Sequence, residues 1–125
     1  MNAKVLLVDD SGLARRSTRR LLEDAGYTVI EAEDGLSALE RFAVEKPDLV
    51  LLDLVMKGMY GLDVLEKLRE LDPAARVVVM SADIQTSSRE LVQSAGAAGF
   101  INKPAAPGAV VQMVEQVLKG SSPWN

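Results

Sequence analysis

The side chains able to do chemistry in this chain are few, and they collect directly behind short apolar runs. Asp9 and Asp10 follow Lys4 to Val8, Asp53 follows Leu49 to Leu52, Ser81 follows Val77 to Met80, and Lys103 with Pro104 comes just after Gly99 to Ile101. Carboxylates brought together repel one another unless a proton or a cation relieves them. The sequence holds neither His nor Cys, so the donors are oxygens, the set suited to Mg²⁺ with its retained waters and phosphate oxygens. Lys103 and Ser81 add a point charge and a hydroxyl donor for an anion at the same place. A cation, an anion grip and a carboxylate nucleophile describe phosphoryl transfer onto aspartate. Asp53, behind the central run, is the nucleophile in this reading, and Asp9 and Asp10 hold the metal.

Each residue alone has a plainer reading. Asp10 or Ser11 serves as a helix N-cap, Asp53 as a turn residue, Ser81 as a strand-end hydroxyl and Lys103 as a solvated lysine. Their convergence depends on the elements that carry them. The apolar runs Lys4 to Val8, Thr28 to Ala32, Leu49 to Leu52, Val77 to Met80 and Gly99 to Ile101 predict buried strands. Between them, helical spacing groups Ala14, Thr18, Leu21, Leu22 and Ala25, then Leu39, Phe42 and Ala43, then Leu62, Leu65 and Leu68. Leu91, Val92 and Ala95 mark a fourth helix; Val110, Val111, Val114, Val117 and Leu118 mark a fifth. Breakers stand at Gly26, Pro47, Pro73, Gly96 and Gly120.

Five strands alternating with five helices predict an α/β domain, a doubly wound parallel sheet with helices on both faces. In such sheets ligands bind outside the carboxyl ends of the strands, where all five candidates lie. Glu31, Glu33 and Asp34 are read as outer surface and helix start. The domain is expected over residues 1–120, with 121–125 a frayed, disordered tail in which Trp124 contributes little to the core.

Composition narrows the function. The chain has 125 residues, 48% hydrophobic and 26% charged, enough for one folded domain. A net charge of −4 argues against nucleic acid as a partner. No apolar run reaches the roughly 20 residues of a membrane span, and the N-terminus does not read as a secretory signal, so the expected location is cytoplasmic. Cysteine chemistry is excluded, as is any phosphohistidine carried on this chain.

The motifs resemble the receiver domain of two-component response regulators, a flavodoxin-like fold. They are Val8-Asp9-Asp10-Ser11 with Arg15-Arg16, Leu52-Asp53-Leu54 with Met56, Met59 and Gly61, Ser81-Ala82, and Lys103-Pro104. The match spans residues 4 to about 119. The resemblance implies strand order 2-1-3-4-5 and a phosphoacceptor at Asp53, charged from the phosphohistidine of a sensor kinase or phosphotransfer protein. It implies Mg²⁺, or Mn²⁺ in its place, held by Asp10, Asp53 and the backbone carbonyl of Val55, with Asp9 acting largely through water. Ser81 and Lys103 would grip the phosphoryl oxygens, and the Lys103–Pro104 peptide would be cis. Ser81 and Phe100 would form the switch that remodels the surface of the fourth helix, fifth strand and fifth helix for a downstream protein. Val55 and Asp83 occupy positions that tune phosphoryl lifetime.

Departures from the family pattern are Lys57 where Pro is common, Tyr60 where Asp is common, and Phe100, which lacks a hydroxyl. The basic run Arg15, Arg16, Arg19 and Arg20 reads first as a solvated helix face and second as a kinase-docking surface. The expected function is a single-domain, chemotaxis-type regulator, not a dedicated enzyme, monomeric or dimerising on phosphorylation. Two alternatives are a phosphorylation-independent binding module and a fragment of a longer regulator. An aspartate-nucleophile phosphatase would need a second Asp where Val55 stands, and no Walker motif supports nucleotide hydrolysis.

Overall fold

In the computed structural model, which describes residues 2–56, 60–82 and 86–124, strands and helices alternate along the described residues. The strands are β1 (Lys4–Val8), β2 (Thr28–Ala32), β3 (Leu49–Asp53), β4 (Val77–Ser81) and β5 (Gly99–Asn102). The helices are α1 (Gly12–Asp24), α2 (Gly35–Glu45), α3 (Gly61–Leu71), α4 (Thr86–Ser94) and α5 (Pro107–Leu118). The sheet is parallel with order β2-β1-β3-β4-β5, the order that the resemblance implies.

Alternation along the strands divides the core in two. Leu6, Val8, Val50, Leu52, Val77 and Val79 face Ala38 and Phe42 of α2, Val64, Leu65 and Leu68 of α3, and Val92 of α4. Val5, Leu7, Leu49, Leu51, Val78, Met80 and Ile101 face Leu22 of α1 and Val110, Val114 and Val117 of α5. The central strands therefore read as unbroken apolar runs, because both of their faces are covered.

The helix starts follow local chemistry. Ser11 caps α1, its hydroxyl accepting from Ala14 N at 3.2 Å. Asp34 caps α2 through a capping box, accepting from Ser37 N at 2.7 Å. Lys46 takes the left-handed conformation (φ 49°) that ends α2 ahead of Pro47.

One expectation about packing is corrected, that for Trp124, and three residues grouped by helical spacing turn outward. Ala25, Ala43 and Leu91 are exposed, Leu91 at 53%; α4 is short, and the residue of it that reaches the apolar core is Val92. The tail is not frayed at Trp124. Its indole packs against the core on the α2–α4 side and donates from Nε1 to the Ala97 carbonyl at 2.8 Å. Arg89 of α4 lies 5.4 Å from the ring centroid, within cation–π range. Pro123 approaches the backbone of Gly99, where a Cβ would stand 3.2 Å from its Cγ.

Candidate functional site

Register assembles the site. Val8 pairs with Leu52, so Asp9 and Asp53, one residue further on, leave neighbouring strands side by side. Ser81 pairs with Asn102, which sets Lys103 just beyond the end of β4, where its backbone N–H donates to the Ser81 carbonyl at 2.8 Å. Asp9, Asp53 and Ser81 are buried, at 2%, 8% and 0% exposure. Asp10 is exposed beside them.

The carboxylates of Asp9, Asp10 and Asp53 each offer an oxygen within 4.8 Å of the others, the one such cluster among the described residues. Lys103 Nζ bridges two of them, 3.1 Å from Asp9 Oδ2 and 3.2 Å from Asp53 Oδ2. Asp53 Oδ1 accepts from Val55 N at 3.2 Å, and Asp9 Oδ1 accepts from Ser11 N at 2.9 Å. Burial holds the Asp53 carboxyl above its ordinary 3.8; Lys103 and the Val55 N–H pull against the rise, and the Asp9 charge adds to it. Burial would lower Lys103, but Asp53 and Asp9 outweigh it and hold the ammonium above 10.5. An all-oxygen set of three carboxylates, only partly neutralised by one lysine, fits Mg²⁺. Asp9, Asp10 and Asp53 would hold it, and when bound it supplies positive charge against phosphoryl oxygens.

The remaining predicted residues are placed as follows. The Lys103–Pro104 peptide is cis. The Val55 side chain points outward at 60% exposure. Phe100 is half-buried and packs against the α2–α4 side of the core. Tyr60, at 41% exposure, is the N-cap of α3 without a side-chain cap bond. Lys57, Met59 and Asp83 lie outside the described residues.

The basic run on α1 is only partly a free face. Arg15 Nε donates to Glu31 at 3.0 Å and Arg15 Nη1 to the Asp9 carbonyl at 2.6 Å. Arg19 donates to Glu31 at 2.6 Å and to Glu23 at 3.2 Å, while Arg16 and Arg20 stay exposed. Glu31 is thus half-buried between two arginines, where the sequence suggested outer surface. The available signal was a lone carboxylate in an otherwise apolar strand facing an arginine-rich helix. Hydrogen bonds from Arg19 first, then Arg15, hold the Glu31 carboxyl below its ordinary 4.5 despite some burial.

A lowered folded pKa means that Glu31 contributes stability above pH 4.5 and loses it as the pH falls through the folded value. Glu31→Gln should therefore cost about 1 kcal/mol in urea unfolding at pH 7, and the gap to the parent should narrow in acid. An unchanged gap from pH 7 down to about pH 3, well below the ordinary glutamate value, would count against the ion pairs as its source.

The comparisons agree with this geometry. The family model described as response regulator receiver domain matches residues 5–115. The chain is 37% identical to the chemotaxis protein CheY of Thermotoga maritima over 95% of this chain and 100% of that one. It is 38% identical to the nitrate/nitrite response regulator protein NarP of Escherichia coli, covering 98% of this chain but 58% of that longer protein. A receiver domain protein (CheY-like) from Methanospirillum hungatei superposes with TM-score 0.91 at 27% identity, covering 96% of each chain. The crystal structure of the CheX–CheY–BeF3–Mg²⁺ complex from Borrelia burgdorferi aligns with TM-score 0.88 at 31% identity, covering 92% of this chain and 88% of that one. No described helix is long and apolar enough to cross a membrane. With three aspartates and a lysine gathered at the carboxyl end of a sheet of order 2-1-3-4-5, and a family match over most of its length, the chain belongs to the response regulator receiver domain family.

Proposed function

We propose that this chain accepts a phosphoryl group on Asp53 from the phosphohistidine of a partner kinase or phosphotransfer protein, and so changes the surface it offers a downstream protein. The observation that carries the reading is the bridge from Lys103 to both Asp9 and Asp53 at a buried carboxylate cluster. An Asp53 carboxylate oxygen attacks phosphorus; the new P–O bond forms as the P–N bond breaks, and the electron pair leaves on the imidazole nitrogen. Lys103 orients the nucleophile and meets the phosphoryl oxygens, while the Val55 N–H holds the other Asp53 oxygen. Burial of Asp9, Asp53 and Ser81 keeps bulk water from screening these charges. The protein catalyses its own phosphorylation and dephosphorylation and is not a dedicated enzyme.

The phosphoryl group adds about −1.5 to −2 charges and three strong acceptors. Ser81 turns its hydroxyl toward them, and Phe100 follows into the space released, moving the surface of α4, β5 and α5. Val55, apolar and outward, orients no attacking water. Asp83, two residues beyond Ser81, is the candidate for tuning lifetime.

Incubation with Mg²⁺ and acetyl phosphate, followed by intact mass, should give one added phosphoryl group per chain and none on Asp53→Asn. Neither adduct nor Mg²⁺-dependent phosphate release would leave a phosphorylation-independent binding module as the better reading.

A further inference from the structure

We propose that Arg15 is a positioning residue for the acidic pair Asp9-Asp10, anchored by Glu31, and that this clamp sets the affinity of the site for a divalent cation. The inference rests on the reading of the carboxylate cluster as an Mg²⁺ site. Asp9 is held from several directions. Asp9 N donates to the Ala32 carbonyl at 3.2 Å. The two carboxylate oxygens of Asp9 accept from Ser11 N and Lys103 Nζ, at 2.9 and 3.1 Å. The Asp9 carbonyl accepts from Arg15 Nη1 at 2.6 Å.

That carbonyl belongs to the peptide plane joining Asp9 to Asp10. Holding that plane fixes the backbone from which the exposed Asp10 side chain leaves toward the cluster. Arg15 fixes the plane because its own guanidinium is fixed: Nε is bound by Glu31, which leaves Nη1 aimed at the carbonyl. Glu31 in turn sits in β2 opposite Leu7 and is held on its other oxygen by Arg19. The chain of contacts therefore runs from the edge strand, through one planar fork, to the backbone of the metal-holding loop. A solvated arginine would look like Arg16, exposed on the same helix. An arginine serving only helix stability would look like the Arg19–Glu23 pair, four residues apart. Arg15 does neither, since it spans from α1 to β2 and to the loop main chain.

By charge alone, removing a cation near a carboxylate cluster tightens Mg²⁺ binding. Loss of a positioning contact weakens it instead, because outer-shell partners of metal ligands typically matter by about 10–100-fold.

Mg²⁺ dissociation constants should be measured by amide chemical-shift titration on the parent, Arg15→Met, Arg15→Lys and, as a control on the same helix, Arg16→Met. Arg15→Met should bind Mg²⁺ about 10-fold more weakly and Arg15→Lys about 3-fold more weakly, with Arg16→Met within twofold of the parent. Arg15→Lys keeps the charge but lacks the planar fork that reaches Glu31 and the Asp9 carbonyl together, and it decides the matter if Arg15→Met does not fold. Unchanged or tighter binding in both Arg15→Met and Arg15→Lys, even with a lowered thermal midpoint, would reduce the clamp to a structural role and overturn the proposal. A parent that binds no Mg²⁺ would overturn the cluster reading along with it.

Discussion

Gly61→Ala should lower the thermal midpoint by about 10 °C and loosen the acidic site, although the change adds only one methyl group. A Cβ at this position would stand 2.6 Å from Leu54 Cα and 2.7 Å from the carbonyl oxygens of Asp53 and Leu54. All three are backbone atoms of β3 and the residue after it, so no side chain can rotate away. The first residue of α3 lies directly against the chain leaving the nucleophile strand, with Gly61 N donating to the Leu54 carbonyl at 2.9 Å. Relief requires α3 or the Asp53–Leu54 backbone to move, and overpacking of this kind costs about 3 kcal/mol, the upper end of its usual range. Because Asp53 is one of the displaced residues, Mg²⁺ affinity should fall as well. Gly108→Ala provides the contrast: it lies in α5 with nothing within 4 Å of a new Cβ, and should stabilise by about 0.5 kcal/mol through the unfolded chain. Calorimetry of the two variants beside the parent checks both signs; a Gly61→Ala protein melting within about 2 °C of the parent, less than 1 kcal/mol, would show that the contact relaxes freely.

The reach of the sequence is clear from individual residues. The strand ends announced Asp9, Asp53, Ser81 and Lys103, because apolar runs stop where the sheet meets solvent and polar residues there have one edge to occupy. The pairing of Lys103 with two aspartates was less legible, since it depends on register and on one side-chain rotamer. Ser11 and Asp10 competed for the same N-cap, and only the hydrogen bond from Ala14 N assigns it to Ser11. Trp124 was misread because the tail has no periodicity, and a lone indole gives no local sign that the Ala97 carbonyl is its acceptor. Glu31 and Arg15 were each visible as charges but not as partners, because their contact joins an edge strand to a helix sixteen residues earlier. Close backbone approach at Gly61 leaves no mark beyond the glycine itself.

Lys103→Met should cost about 2–3 kcal/mol at pH 7 without divalent metal, and most of that loss should return on adding Mg²⁺. The two carboxylates that Lys103 bridges, Asp9 and Asp53, have side chains only 3% and 12% exposed. Removing one partner of a buried ion pair usually costs about 3–5 kcal/mol; the lower figure reflects a lysine that is itself 28% exposed. The pH dependence has two opposed parts. Lys103, held above 10.5, contributes its stability below that pH and loses it as the pH rises through the folded value. Asp53, held above 3.8 by burial, opposes folding once charged: its penalty is absent below 3.8 and grows as the pH rises through the folded value. Without the lysine that penalty deepens, so the deficit of the variant should shrink as the pH falls and Asp53 takes a proton. Mg²⁺ should offset it by the same logic, binding the folded state alone and meeting no competing ammonium. Urea unfolding of parent and variant at pH 7 and in mild acid, with and without Mg²⁺, reads all of these effects, and adding Asp53→Asn to Lys103→Met should restore stability with no metal at all. Equal stability of Lys103→Met and parent in metal-free buffer at pH 7 would mean that solvent already compensates the two carboxylates, and that the lysine is there for the phosphoryl group alone.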